Sequence, residues 1–227
     1  MKPFLEKYKA IVNNFHETML IPGPEFLPEM RFGNYWIGLG YDLKKERDEC
    51  LKLLYRGEDK PSYYDTLTEK FYRLAVGKPF SREIAEKTRL RECVSGKTRR
   101  TLRELKEMGI ELYILTNCAE PLVEWTLDED ARVFDGIDGN KVYCENGICT
   151  KVEIKNSQRQ KHVLIDKIVK DKGLDPKKTL CVGKYPLDSG PGMDLIVVTN
   201  GNEKRKILAE DQGIPTIEDY SGLLELA

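Results

Sequence analysis

Histidine is almost missing from this chain: His16 and His162 are the only two in 227 residues, and they sit in unrelated contexts. A histidine nucleophile or a histidine-rich metal site is therefore not expected. The six cysteines (Cys50, Cys93, Cys118, Cys144, Cys149 and Cys181) contain no Cys-x-x-Cys pair, which argues against a zinc knuckle. They are also too sparse for a disulfide scaffold. No apolar run approaches the roughly 18 residues that a membrane span needs. The start, Met1-Lys2-Pro3-Phe4-Leu5-Glu6-Lys7, lacks the long apolar stretch of a signal peptide. Nor is there an excess of charge of either sign: Lys+Arg 37 against Asp+Glu 38 leaves −1, so no bulk attraction to nucleic acid or anionic membrane is expected. What is present, 40% hydrophobic and 33% charged residues, describes a cytoplasmic globular protein with one sizeable core.

After residue 95 the chain alternates between two periods. Apolar residues at helical spacing over 97–108 stop at Gly109, and the buried-strand pattern of 110–115 follows. The same unit recurs as a helix over 163–172 stopped by Gly173, with a strand over 179–182. A strand over 195–198 then precedes a helix over 203–212 closed by Gly213. This predicts an α/β fold with a doubly wound, Rossmann-like parallel sheet. Before residue 96 the reading differs. Residues 44–95 carry helical periodicity without a strong strand and are expected to form a small helical cap inserted after the first core strand. That first strand is placed at Tyr35-Trp36-Ile37-Gly38-Leu39-Gly40. Residues 1–33 are read as an extension, a short amphipathic helix (Phe4, Leu5, Tyr8, Ile11, Val12, Phe15) followed by a Pro-rich stretch. The expected domains are thus 1–33, a core of 34–43 with 96–227, and a cap of 44–95.

Val142 to Thr150 reads as a β-hairpin excursion around an Asn146-Gly147 turn. That register sets Cys144 opposite Cys149 at a non-hydrogen-bonded site, where Cα atoms approach to about 4.5 Å, the short edge of disulfide range. The two are a candidate disulfide. In most cytosols such a pair stays reduced, with hyperthermophiles the exception; high charge and only three glutamines (158, 160 and 212) lean towards a thermophile.

In open α/β sheets ligands bind beyond the carboxyl ends of the strands. The residues there are Gly38 to Asp42, Thr116-Asn117, and Gly183 to Asp188, with Lys161 opening the helix before the last group. A hydroxyl, a lysine at a helix start and an acid after the next strand suit a bound phosphate. On these residues the sequence resembles the haloacid dehalogenase superfamily, in its phosphoserine phosphatase-like branch. Thr116 fits that family's second motif and Lys161 its third. Gly183-Lys184-Tyr185-Pro186-Leu187-Asp188 lies over the fourth, Gly-Asp-x-x-x-Asp, and the hairpin falls where the branch has a β-ribbon. The resemblance implies the fold, a helical cap and a phosphate site that works with Mg²⁺.

Three acids that the resemblance implies are missing. Its first motif, hydrophobic-Asp-x-Asp, supplies the attacking nucleophile and the general acid; aligned on 35–40, those positions hold Gly38 and Gly40. Glycine can do neither. In the fourth motif the metal-binding acid is Lys184, and an ammonium cannot ligate a cation. No catalytic residue, metal or cofactor is then expected. Lys161, Lys184 and Asp188 net +1, which suits an anion held without a metal by Thr116, Asn117, Lys161 and Lys184. The plainer reading has Lys184 pairing with Asp188 or facing water.

The leading expectation is a phosphatase fold without phosphatase activity that binds a small anionic or phosphorylated ligand, or a protein partner. A second reading is an active phosphomonoester hydrolase using a displaced acid, Asp42 or Asp188, with Mg²⁺. A third is nucleotide binding by the Gly38-Leu39-Gly40 turn with Glu58 or Asp59, although the third glycine of the dinucleotide pattern is missing.

Overall fold

A computed structural model of the chain describes residues 4–15, 18–19, 69, 72–87, 90–156 and 160–226. Its sheet has seven strands among the described residues: β1 (Ala10–Asn14), β2 (Glu111–Ala119), β3 (Gly136–Glu145), β4 (Ile148–Glu153), β5 (Thr179–Gly183), β6 (Asp194–Val198) and β7 (Thr216–Ile217). The spatial order is β4-β3-β2-β1-β5-β6-β7, parallel throughout except for the β3/β4 hairpin.

The centre of this sheet corrects the reading of the N-terminus. Residues 1–33 were expected to be an extension opening on a helix; instead Ala10–Asn14 is the middle strand, hydrogen-bonded between β2 and β5. Among the described residues a 3₁₀ turn, Phe4–Lys7, precedes it. The cause is physical. A central parallel strand is buried on both faces, so Ala10, Ile11 and Val12 form a continuous apolar run instead of an alternation. Ile11 and Phe15 enter the core on one face, and Ala10 and Val12 enter the core on the other. Burying Ile11 or Val12 is worth roughly 1.5–3 kcal/mol each, which overrides a chance helical spacing. Asn13 is buried too, and satisfied: its Nδ2 donates to the Tyr113 carbonyl at 3.1 Å and its Oδ1 accepts from the Tyr220 hydroxyl at 2.8 Å. Gly38, Gly40 and the rest of the strand expected at 35–40 lie outside the described residues, as does most of the 44–95 insert.

The helices are α1 (Arg82–Lys87), α2 (Gly96–Glu107), α3 (Glu120–Leu127), α4 (Lys161–Asp171) and α5 (Glu203–Glu210). Ser95 caps α2 by accepting from the Thr98 amide, and Asn202 caps α5 by accepting from that of Arg205. Gly109, Gly173 and Gly213 end their helices at φ of 78°, 65° and 67°, a conformation that favours glycine. Leu102 and Leu105 of α2 pack with Ile11, Leu112 and Val182 on one face of the sheet; Ile165 and Ile168 of α4 and Ala209 of α5 pack with Val12, Leu115 and Val197 on the other. Helices on both faces make the sheet doubly wound, as expected. Arg99 and Arg103 both reach the buried Asp130 at 2.7 Å and pin α2 to the turn that follows α3.

The hairpin has the expected register. Asn146 and Gly147 turn at φ of 51° and 76°, and Cys144 faces Cys149. The candidate disulfide is not formed in the structure, where both are free cysteines, Cys149 fully buried and Cys144 exposed. Cys149 packs with Tyr72, Phe80 and Leu122, and its amide and carbonyl bond Lys78 and Gly77 on the outer edge of β4. That side chain is committed to the apolar cluster rather than to its cross-strand neighbour.

Candidate anion site at the carboxyl ends of the strands

Strand order reverses on either side of β1, so the crevice at its carboxyl end is where this architecture places ligands. Asn14, the last residue of β1, pairs with Leu115, one residue before Thr116. On the other side Asn13 pairs with Val182, one residue before Gly183. Three strands are thereby set abreast, carrying Asn14, Thr116 and the loop that starts at Lys184.

Lys161 is the first residue of α4, 3% exposed, although the N-terminal end of a helix disfavours a cation. Its partner is Asp188, 2% exposed: Nζ donates to Oδ1 at 2.7 Å. The other carboxylate oxygen, Oδ2, accepts the backbone amides of Lys184 (2.7 Å) and Tyr185 (3.1 Å). The loop closes on this carboxylate so tightly that a Cβ on Gly183 would lie 2.2 Å from that of Asp188, so only glycine fits. Lys184 is itself 5% exposed, so it does not face water.

Burial alone would raise the Asp188 pKa. The Lys161 charge and hydrogen bond, the Lys184 amide and the Lys184 charge outweigh it and hold the carboxyl below its ordinary 3.8. Burial lowers the Lys161 pKa from 10.5 against the pull of Asp188, and the Lys184 charge adds to the lowering. Since the folded pKa of Asp188 is depressed, its contribution to stability is fully present above pH 3.8 and is lost as pH falls through the folded value. Acid titration of unfolding should show this as a steeper loss below pH 3.8 in the wild type than in Asp188→Asn; coincident curves would contradict it.

Thr116 was expected just past its strand; β2 instead runs on to Ala119, with a register shift against β3 after Leu115. The Thr116 hydroxyl is buried and accepts the Cys118 amide at 3.1 Å. Two asparagines with no sequence signature hold this stretch. Asn140 Nδ2 donates to the Asn117 carbonyl at 2.8 Å, and Asn156 Nδ2 donates to the Thr116 carbonyl at 2.9 Å. The Tyr72 hydroxyl, from the segment leading out of the insert, also donates to the Asn117 carbonyl, at 3.1 Å. Two buried oxygens, Thr18 Oγ1 and Asn156 Oδ1, have no hydrogen-bond partner among the described residues.

The site thus brings together Lys161, Lys184 and Asp188, and sets Thr116-Asn117 on β2, on the other side of β1. It places Asn14, not a glycine, at the end of the central strand. Asp42, Glu58 and Asp59 lie outside the described residues. A signal for Asn14 was present: Ala10-Ile11-Val12 is an apolar run, and Asn14-x-His16-x-Thr18 keeps the spacing of an Asp-x-Asp motif with both acids replaced. His16 lies outside the described residues.

Neither a protein-family model nor a curated protein matches the chain in sequence. Solved structures do match in shape. A phosphoserine phosphatase captured as a phospho-aspartyl intermediate analogue superposes with a TM-score of 0.67 at 19% identity, over 96% of this chain and 98% of that one. The chain has the haloacid dehalogenase fold. Within that fold its likeness is to the phosphoserine phosphatase branch, and a substrate-bound phosphoserine phosphatase also aligns over 96% of the chain, at TM-score 0.65 and 19% identity. A haloacid dehalogenase family hydrolase from Salmonella enterica serovar Typhi matches with a TM-score of 0.67 at 14% identity, over 96% of this chain and 71% of its own. The central strand of the sheet is β1, and Asn14 ends it. The residues here do not suit a divalent cation: Asn14 offers a neutral carboxamide, Lys184 an ammonium, and the Asp188 oxygens already accept from Lys161 and two amides. Among the described residues, no group of three His, Cys, Asp or Glu could hold a metal. No helix among them is long and apolar enough to cross a membrane.

Proposed function

We propose that this protein is a haloacid dehalogenase-fold protein without phosphatase activity, and that it binds a phosphate-bearing or other small anionic ligand without Mg²⁺. One observation carries the reading: Asn14 ends the central strand and a buried Lys184 opens the loop after β5, so an amide and an ammonium stand where the fold's chemistry calls for two carboxylates. A carboxamide does not form an acyl phosphate, and an ammonium repels the metal that would neutralise a phosphate. The same exchange reverses the electrostatics. Among the described residues Lys161 and Lys184 stand beside Asp188 in the buried site, and cations of this kind suit an oxyanion without a metal. The Thr116 hydroxyl keeps its proton free to donate, since its oxygen serves as the acceptor for Cys118.

Asp188 as a displaced nucleophile is disfavoured, because its oxygens are engaged by Lys161 and by two backbone amides.

Thermal unfolding in inorganic phosphate tests the binding. At about 100 times the dissociation constant the native state should gain about 2.7 kcal/mol. The shift should be the same in EDTA as in Mg²⁺ and smaller in Thr116→Val. No shift, or one that requires Mg²⁺, would overturn the reading.

A further inference from the structure

We infer that Cys144 and Cys149 are a reversible redox site: a small disulfide oxidant closes a bond across the hairpin, and that bond draws the Cys149 sulfur out of the apolar cluster it shares with Tyr72 and Phe80. The inference stands apart from the anion-site reading, and a protein that binds no phosphate leaves it intact.

The backbone sets the pair. Cys144 and Cys149 are direct partners across the β3/β4 ladder. Directly opposed residues hold their Cβ atoms about 4.5–5.5 Å apart, close enough for side-chain rotation and a small backbone shift to reach disulfide distance. Their ionisation is already linked: burial raises the Cys149 thiol above its ordinary 9.0, and the neighbouring Cys144 raises it further. Access differs between the two. Cys144 is exposed, whereas Cys149 is fully buried, so an oxidant meets Cys144 first.

Cys149 is also where the segment leading out of the insert rests. Its carbonyl accepts the Gly77 amide at 2.8 Å and its amide donates to the Lys78 carbonyl at 2.9 Å. Pro79 bridges to Ile148, and the Phe80 amide donates to the Gly147 carbonyl at 2.7 Å. This segment therefore lies along the outer edge of β4, with Phe80 and Tyr72 in the cluster that holds the Cys149 side chain. Withdrawing the sulfur leaves a void there and weakens the packing behind those bonds.

The step balances with glutathione disulfide as oxidant. The Cys144 thiolate attacks one of its sulfurs and releases a glutathione thiolate; Cys149, rotated out of the cluster, then attacks the Cys144 sulfur and releases the second. Two electrons pass to the oxidant, and the two thiol protons end on the two glutathiones.

The full chain, incubated with glutathione disulfide, tests this. Its intact mass should fall by two hydrogens, peptide mapping should join Cys144 to Cys149, and dithiothreitol should reverse both. By NMR hydrogen exchange, the Gly77, Phe80 and Cys149 amides should exchange about tenfold faster in the oxidised protein. Cys144→Ser, a change at an exposed position, should form no link and keep the slow exchange under the same treatment. No link, a mixed disulfide that persists on Cys144, or a link from Cys149 to another cysteine would overturn the inference. So would a Cys144–Cys149 link that leaves the three amides unchanged, or a Cys144→Ser protein whose amides speed up as in the wild type.

Discussion

Incubated with a broad panel of phosphomonoesters, the purified protein is expected to release no phosphate above the buffer rate, in Mg²⁺ or in EDTA. On the reading proposed above, the missing group is the one that would form the bond to phosphorus. Losing a nucleophile costs on the order of 10⁶ in rate in well-studied hydrolases, and here the residue that would hold the metal is also a lysine. The two losses can be separated. Asn14→Asp alone supplies a carboxylate but leaves the Lys184 ammonium after the adjacent strand, so no Mg²⁺ effect is expected. Asn14→Asp with Lys184→Asp supplies acids from two adjacent strand ends, and this double variant should acquire a thermal stabilisation by Mg²⁺ that the wild type lacks. Turnover by the wild type that needs Mg²⁺ would sink the inactive reading. A double variant indifferent to Mg²⁺ would show that more than these two side chains separates the site from a metal centre.

Lys161→Met should be the most destabilising single change at the site, by about 3–5 kcal/mol, the range for removing one partner of a buried ion pair. The reason lies in what is left behind. Asp188 would keep its two backbone amide donors but lose the ammonium that donates to its Oδ1 at 2.7 Å, in a loop packed tightly against Gly183. Adding Asp188→Asn should recover much of the loss, because a carboxamide oxygen can still accept from Lys184 and Tyr185 without needing a charge. Urea midpoints of the wild type, the single variant and the double variant measure this directly. A Lys161→Met midpoint close to wild type would mean that the pair contributes little, and that Lys161 is kept for a ligand alone.

Much of the architecture was legible in the residues. Gly109, Gly173 and Gly213 marked helix ends because each adopts a positive φ. Asn146-Gly147 marked the hairpin and its register because two consecutive positive φ values suit few other pairs. Lys161 and the loop from Gly183 to Asp188 were legible through spacing, and they do converge. The first strand was not. Ala10–Asn14 is five residues long, apolar on both faces and ends in two asparagines, so no alternation advertises it, while Phe4, Leu5, Tyr8, Ile11 and Phe15 imitate a helical stripe. A glycine-ended apolar run further on drew the motif to Gly38 and Gly40. Asn140 and Asn156 left no trace either, since their roles are hydrogen bonds to the carbonyls of Asn117 and Thr116 on another strand.

The sequence by itself determined the α/β class, the helix stops and the hairpin, because each depends on a local conformation or on a short spacing along the chain. Which strand stands at the centre, that Asn14 ends it, and that Lys161, Lys184 and Asp188 are buried together were decided only by the tertiary structure. Those facts follow from strand pairing between residues more than a hundred positions apart and from desolvation, neither of which leaves a local signature along the chain.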